Sequence, residues 1–521
     1  MNTHGCSRRN FLKGLGLSAA ALTLRPSTLL AESPKRRPNI IFFLADDLGW
    51  MDTSLYGSTF YETPNIDALA KRGMMFTNAY AANPLCSPTR ASILTGLYPA
   101  RIGITSPSCH LAEVVLDKSL QEKASPRSKW LVANSLTRLK QDYYTLAEAL
   151  EDAGYATGHF GKWHLGPEPY DPLHQGFDVD IPHWPGPGPP AHYLAPWHIS
   201  DKMTIKQGEK GDHIEDLIAA KAIDFIKANK DRPFFVNYWA FSVHAPHEAK
   251  PELEKKYKAK AKPEDEQRQP VNAGMIETLD ANVGRVMKAI DEVGLADNTI
   301  IIFFSDNGGI HWPSEQCYPD VPVTSNDPLR GGKATIYEGG TREPCIIIWP
   351  GVVEPGSKTK QVISSIDFYP TILDMIGVKR KPGQHFDGIS IVPALKGRRL
   401  ARDTIFCHFP HGPSVRPGFQ PSTYVRKDDW KLIRFYADGP EQTDRYELYN
   451  LAEDIGEKNS LAEKHPQKIR ALAALIDQFL EDTQAVVPRA NPAYNPNAAP
   501  RARGRKESGK RVEIALPKKI P

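Results

Sequence analysis

The run Asn39-Ile40-Ile41-Phe42-Phe43-Leu44, followed at once by Ala45-Asp46-Asp47, decides how this chain folds. An unbroken apolar stretch of this length offers no face to water, so it reads as a strand covered on both sides. Thr299-Ile300-Ile301-Ile302-Phe303-Phe304 repeats the pattern, and Cys345-Ile346-Ile347-Ile348-Trp349 repeats it again. Tyr155 to His159 and Pro233 to Trp239 add two further strands. Between these runs the apolar spacing turns helical: 66–72, 145–153, 212–229, 275–293 and 367–376. In the 212–229 segment Ile214, Leu217, Ile218, Ala222, Phe225 and Ile226 share one face. Such alternation predicts an α/β fold with a large, mostly parallel mixed central sheet and helices on both faces, spanning 38–382.

The pattern changes after a boundary near Gly383 to Arg402. Thr404 to Phe406, Ser422 to Arg426, Trp430 to Arg434 and Tyr446 to Tyr449 read as short antiparallel strands, and Ile469 to Leu480 as a closing helix. Residues 400–485 are therefore expected to form a smaller α+β subdomain, as 521 residues exceed what one core accommodates. Two segments interrupt the larger region. Pro107 to Lys140 is weakly patterned and reads as an insertion. Pro182 to Pro196, dense in Pro, Gly, His and Trp, reads as an irregular loop. The composition of 491–521 predicts a basic disordered tail.

Net charge is +4, from 65 Lys and Arg against 61 Asp and Glu. Arg501 to Pro521 holds eight basic and two acidic residues, so the remainder carries only −2. That balance argues against nucleic acid as a partner. Ser7-Arg8-Arg9-Asn10-Phe11-Leu12-Lys13, then an uncharged stretch from Gly14 to Leu24, reads as a signal peptide over 1–31 for twin-arginine export machinery. A periplasmic or secreted protein is the expectation, with no transmembrane segment after processing. Cys6 precedes the apolar stretch, which gives no lipid anchor. Cys109, Cys317, Cys345 and Cys407 allow at most two disulfides and match no zinc spacing.

Asp46-Asp47 and Asp306-Asn307 each follow a buried strand directly. Ligands of an open α/β sheet bind at the carboxyl ends of its strands, so the two pairs are expected to converge. Either pair alone is equally well turn or helix-capping chemistry. Together they place like charges close enough to need neutralising. A hard divalent cation with oxygen ligands, Ca²⁺ or Mg²⁺, meets that need. Gly161-Lys162-Trp163-His164-Leu165-Gly166, Ser242-Val243-His244-Ala245-Pro246-His247 and Leu329-Arg330-Gly331-Gly332-Lys333 lie at further strand ends or glycine turns. A lone His is usually structural and a lone Lys usually solvated. With Arg90, however, Lys162, His164, His244 and Lys333 form a set that can grip an anionic ester and protonate its leaving oxygen.

Leu85-Cys86-Ser87-Pro88-Thr89-Arg90, continuing to Leu94-Thr95-Gly96, has Pro two residues and Arg four residues after a cysteine. It resembles the modification signature of the type I sulfatases, a branch of the alkaline phosphatase superfamily. Thr63-Pro64-Asn65-Ile66-Asp67, Tyr337-Glu338-Gly339-Gly340-Thr341-Arg342-Glu343-Pro344 and Glu447-Leu448-Tyr449-Asn450-Leu451 follow in the family order, so the resemblance spans Pro38 to Leu461. It implies an alkaline phosphatase-like fold and hydrolysis of sulfate monoesters. It implies that a formylglycine-generating enzyme oxidises Cys86 to formylglycine. Asp46, Asp47, Asp306, Asn307 and the modified Cys86 would bind Ca²⁺, with Mg²⁺ as the alternative. Arg90 and Lys162 would hold the aldehyde hydrate and the sulfate, His164 would assist turnover, and His244 and Lys333 would contact the sulfate and protonate the leaving oxygen. One hydroxyl of the hydrate attacks sulfur, and the other then expels sulfate and restores the aldehyde. A helix is expected to start after Cys86 with its N-terminus facing the anion.

Sulfated sugars or polysaccharides are the expected substrates, ahead of other sulfated small molecules. His408 and His411 are candidates for touching the leaving group, with a structural turn as the competing role. The His-, Trp- and Tyr-rich loop from His183 to Trp197 is a candidate to stack on a sugar ring. Two rival functions remain: a phosphate or phosphonate ester hydrolase on the same scaffold, and a non-catalytic binder of sulfated glycan.

Overall fold

The computed structural model describes residues 36–318, 320–412 and 419–498. The signal segment at 1–31 and the tail beyond 498 lie outside the described residues. Strand β1 is Asn39–Ala45 and every residue of it is buried. Ile40, Phe42 and Leu44 point into one core, and Ile41 and Phe43 into the other. That two-sided burial is why the run has no polar alternation. Each such side chain removed from water is worth about 1.5–3 kcal/mol.

The large sheet has nine strands: β1, β2 (Met74–Tyr80), β3 (Ala156–Gly161), β4 (Val179–Ile181), β5 (Phe234–Trp239), β6 (Thr299–Ser305), β7 (Arg342–Ile348), β8 (Ser357–Thr359) and β9 (Ile363–Ser364). Their order is β8-β2-β7-β6-β1-β5-β3-β4, with β9 also on β2. β1 lies parallel between β5 and β6, with Ile41 opposite Val236 on one side and Ile301 on the other. β7 runs antiparallel to both neighbours, so the sheet is mixed but mostly parallel. Helices α1 (Pro64–Arg72), α4 (Ile214–Ala228) and α5 (Pro270–Glu292) cover one face; α2 (Cys86–Thr95), α3 (Leu146–Asp152) and α6 (Phe368–Met375) cover the other. α3 opens with a capping box in which Thr145 and Glu148 each serve the other's backbone amide, a device worth about 1 kcal/mol.

A second sheet of four antiparallel strands follows: β10 (Thr404–Phe409), β11 (Ser422–Lys427), β12 (Trp430–Phe435) and β13 (Arg445–Asn450). Its residues Val425, Leu432 and Leu448 pack against Leu472, Ile476 and Phe479 of α7 (Pro466–Asp482). The opposite face, with Ile405, Tyr424, Ile433 and Tyr449, meets Leu85, Ile336 and Tyr337. It thus backs the segments that carry Cys86 and Lys333.

Two segments carry structure that their composition does not reveal. The 107–140 segment contains only two-residue strands: Ser119–Leu120 pairs with Ala133–Asn134, and Trp130–Leu131 with Arg489–Ala490. Two residues give no readable periodicity. Composition also predicts disorder from Asn491 onward, whereas Asn491 Nδ2 donates to the carbonyls of Ser125 (3.0 Å) and Ser128 (2.8 Å), and the Asn495 amide donates to Pro126 O (2.7 Å). A single buried Asn anchors the described residues 491–498 there. All five described cysteines are free, four of them buried. No helix among the described residues is long and apolar enough to cross a membrane.

Candidate active site

The site forms where four neighbouring strands, β3, β5, β1 and β6, end. Beyond β1, the Asp46 amide donates to Ser242 O (2.8 Å); beyond β6, the Asp306 amide donates to Ala45 O (3.0 Å); beyond β3, the Lys162 amide donates to Trp239 O (2.7 Å). These bonds continue the ladder past the strands and hold four chain segments together. Gly161 permits the closest approach: its φ is +112°, and a Cβ there would overlap the Trp239 carbonyl. Asp47 (φ 62°) and His164 (φ 56°) both adopt left-handed backbone that non-glycine residues rarely take, a conformation concentrated at functional sites.

α2 starts at Cys86 itself, and all ten of its residues are buried. Leu85, which precedes it, offers no side-chain cap. The first-turn amides therefore face the site uncapped, with the positive end of the helix dipole. Ser87 Oγ donates to His164 O (2.7 Å) and Arg90 Nη1 to Lys162 O (2.7 Å), which lock α2 to the turn after β3.

Asp46, Asp47 and Asp306 bring carboxylate oxygens within 4.8 Å of one another, and Cys86 Sγ, Asp46 and His244 form a second such group. Lys162 Nζ sits 2.5 Å from Asp46 Oδ2, Arg90 Nη2 2.7 Å from Asp306 Oδ2, and Lys333 Nζ 2.6 Å from Asp47. Asn307 Nδ2 donates to Asp47 Oδ1 at 2.8 Å. Three buried acids thus meet three cations. Burial pushes the Asp46 carboxyl up, only partly opposed by Lys162. Asp306 is raised to about 6 by burial and by repulsion from Asp46, against the pull of Arg90. Burial acts on Asp47 too, but the Lys333 and Lys162 ammonium groups outweigh it and hold this carboxyl below its ordinary range. Burial raises the Cys86 thiol and drives His164 and His244 far below the usual histidine value, helped by the neighbouring lysines. Both histidines are consequently neutral at pH 7.

Asp46 Oδ1 and Asn307 Oδ1 are buried and have no hydrogen-bond partner. Orphaned oxygens beside three clustered carboxylates fit a hard cation with oxygen ligands. His244 and Lys333 keep 18% and 12% of their side chains exposed while Asp46, Cys86, Arg90 and Lys162 are sealed. An anionic group entering the site would therefore meet these two first.

A family model described as sulfatase matches residues 38–378. The chain belongs to the sulfatase family. It is a sulfuric ester hydrolase with the sulfatase fold. A model of the C-terminal part of N-sulphoglucosamine sulphohydrolase matches residues 332–485 of this sulfatase. A sulfatase of Formosa agariphila is 33% identical, with 85% of this chain and 88% of that one aligned. The N-acetylgalactosamine-6-O-sulfatase of Bacteroides thetaiotaomicron is 27% identical over 85% and 93%. Among solved structures, Ps i-CgsB superposes with a TM-score of 0.69 at 28% identity, covering 86% of this chain and 94% of its own.

The structure brings Asp46, Asp47, Cys86, Arg90, Lys162, His244, Asp306, Asn307 and Lys333 of this sulfatase into one contact network. His164 joins through Ser87 and through His110, whose Nδ1 lies 2.9 Å from His164 Nε2. His408 and His411 have other partners. Both ring nitrogens of His408 are engaged, with Thr423 Oγ1 (2.7 Å) and Val486 O (3.2 Å), and His411 Nε2 meets Thr105 Oγ1 (2.8 Å). These contacts fasten β10 to its surroundings and do not involve the acidic cluster.

Sequence reasoning missed three contributors. His110 lies in the unpatterned 107–140 segment, where no local signal marks it. Trp239 places its ring 5.2 Å from the Arg90 guanidinium. Its strand-end position after an apolar run was the available clue. Glu215, on α4, accepts the amides of Phe241 and Ser242, both at 2.8 Å, and so shapes the turn leading to His244.

Proposed function

We propose that this sulfatase is exported by the twin-arginine route and removes sulfate from sulfated sugars or polysaccharides, with Cys86 converted to formylglycine and one Ca²⁺ held by Asp46, Asp47, Asp306 and Asn307. The observation that carries the reading is the convergence of Cys86 Sγ on Asp46 and His244 within 4.8 Å, beside the other acids. The glycan half rests on relatives. Those sharing 32% identity with this chain include the N-acetylgalactosamine-6-sulfatases of dog and human, and Ps i-CgsB has been crystallised with a neocarrahexaose.

The bound cation would neutralise charge on the sulfate oxygens and acidify the attacking hydroxyl. The remaining work belongs to the chain. Lys162 and Arg90, fixed by their carboxylates and sealed from water, supply positive charge that needs no reorganisation. The uncapped amides of α2 add a dipole aimed at the same anion. Lys333 and His244 stand at the entrance. Lys333 carries a proton at neutral pH, because Asp47, Cys86 and Asp46 together outweigh its burial, and stands where it can hand it to the departing oxygen. His164 is buried beside them, with Nε2 on His110 Nδ1 and Nδ1 left without a partner.

The test joins mass and rate. Oxidation of Cys86 to the aldehyde lowers the mass of its peptide by about 18 Da, the exchange of SH and H for O. Purified enzyme with that mass deficit should hydrolyse sulfate monoesters over many turnovers, and Cys86→Ala should not. An unmodified Cys86 in fully active enzyme overturns the reading. A faster rate on matched phosphate or phosphonate esters would favour that alternative, and glycan binding without turnover would favour the binder. Export is tested by cell fractionation of an Arg8→Lys, Arg9→Lys double variant, which should stay in the cytoplasm.

A further inference from the structure

A second cavity, of about 180 Å³, lies beside the turn that follows β3. None of the residues assigned above to catalysis or metal binding lines it. Its wall combines flat apolar surfaces, Trp163, Trp184, Pro167 and Pro185, with the carboxylate of Asp180. The Asp180 side chain is 2% exposed. One of its oxygens holds His183 Nδ1 at 2.7 Å; the other has no hydrogen-bond partner. A buried, unsatisfied acceptor in a cavity wall is costly unless something donates to it.

The charges around the cavity select the donor. Every acid there already has a base: Asp180 with His183 at 2.7 Å, Glu168 with Lys202 at 2.9 Å, and Asp171 with His174 at 2.8 Å. The wall carries no excess of positive charge, so a sulfate group gains nothing by entering. Both indole N–H groups are spent, on Tyr170 O for Trp163 and on Gly188 O for Trp184. What remains is the open Asp180 oxygen, with the Ser200 hydroxyl, among aromatic and proline faces. A pyranose ring offers the complement: hydroxyl donors at its edge and C–H faces above and below.

We propose that this cavity is a binding site for an uncharged sugar residue of the glycan, separate from the unit whose sulfate is removed. The inference rests on the glycan reading above. Trp163 lies between Lys162 and His164 in the chain, so the site shares its wall with the catalytic turn and ligand binding there bears on the same segment. Trp184 supplies the stacking face and Asp180 accepts a ring hydroxyl.

The experiment compares kcat/KM on a sulfated tetrasaccharide (carrageenan and chondroitin 6-sulfate fragments) with kcat/KM on 4-nitrophenyl sulfate. The tetrasaccharide-to-aryl ratio should fall about fivefold or more in Trp184→Ala, the loss expected for one stacking contact, through KM rather than kcat. Asp180→Asn, which keeps the shape of the side chain, should lower the ratio similarly. Titration of wild type with the corresponding unsulfated tetrasaccharide should show saturable binding that Trp184→Ala weakens. If wild type cleaves sulfated tetrasaccharides and both variants keep its ratio, the cavity assignment is wrong while the glycan reading stands. If wild type cleaves the aryl ester but no sulfated glycan, the glycan reading itself fails and takes this site with it.

Discussion

Lys431 offers the sharpest test of how the second sheet supports the site. Its side chain is fully buried on β12, with Nζ 2.9 Å from both Glu338 Oε1 and Glu457 Oε1. Glu457 in turn accepts the Glu338 amide at 2.7 Å, and the Gly339 amide donates to Arg330 O at 2.9 Å. The triad therefore clamps the 330–340 segment, which carries Lys333. Replacing Lys431 with Met removes one charge and leaves two buried carboxylates facing each other. Burial raises both acids. In Glu338 it is outweighed by Lys431, Arg342 and Arg426, which hold the group at about 2; in Glu457 it wins, and the group sits at about 7. Keeping Glu338 at about 2 instead of 4.5 is worth about 3 kcal/mol. That agrees with the roughly 3–5 kcal/mol cost of unpairing a buried ion.

The pH dependence follows from linkage. A lowered acid stabilises above its unfolded pKa, and a raised acid destabilises progressively as pH climbs through its folded value. Without Lys431 both acids shift upward, so the native state must bind protons that the unfolded state has released. The deficit of Lys431→Met should approach about 3 kcal/mol near pH 6, above the unfolded glutamate value, and shrink as pH falls toward 3, measured from urea denaturation midpoints at both values. Activity should fall with it, since Lys333 loses its anchor. A deficit under about 1 kcal/mol at pH 6, or one equal at pH 3 and pH 6, would refute the reasoning.

Three further outcomes are expected. His110→Ala should lower kcat/KM roughly fivefold, the worth of one hydrogen bond of about 1 kcal/mol, with His110→Asn recovering part of it; equal rates for all three proteins would remove His110 from the site. Chelation with EDTA should abolish turnover and lower the melting temperature, and added Ca²⁺ should restore both, because the proposed function assigns the unpartnered oxygens of Asp46 and Asn307 to the cation; full activity after exhaustive dialysis against chelator would contradict this. Gly308→Ala should destabilise by about 1–3 kcal/mol, since a Cβ at Gly308 would overlap the Gly339 carbonyl; an unchanged melting curve would show that this contact relaxes freely.

The elements that sequence reading located best are those whose identity is set by local pattern. The apolar runs at 39–44 and 299–304 correspond to β1 and β6, buried throughout. The helical segment at 212–229 corresponds to α4, Ile214–Ala228. The acidic pairs after those strands converge for a topological reason, because neighbouring parallel strands end at the same edge. The antiparallel direction of β7 was not readable, since a run buried on both faces looks alike in either orientation. His110 was not readable either. Its segment has no period, and its contact with His164 spans 54 residues.

By itself, then, the chain determined which segments become strands and helices, and which acids and bases stand at strand ends, because periodicity, burial and turn chemistry act over a few neighbouring residues. Only the tertiary structure decided which charges pair, which carboxylates are raised or lowered, and where a lone acceptor such as Asp180 is left open. Those outcomes depend on distances between residues far apart in sequence and on the water excluded around them, neither of which a one-dimensional pattern contains.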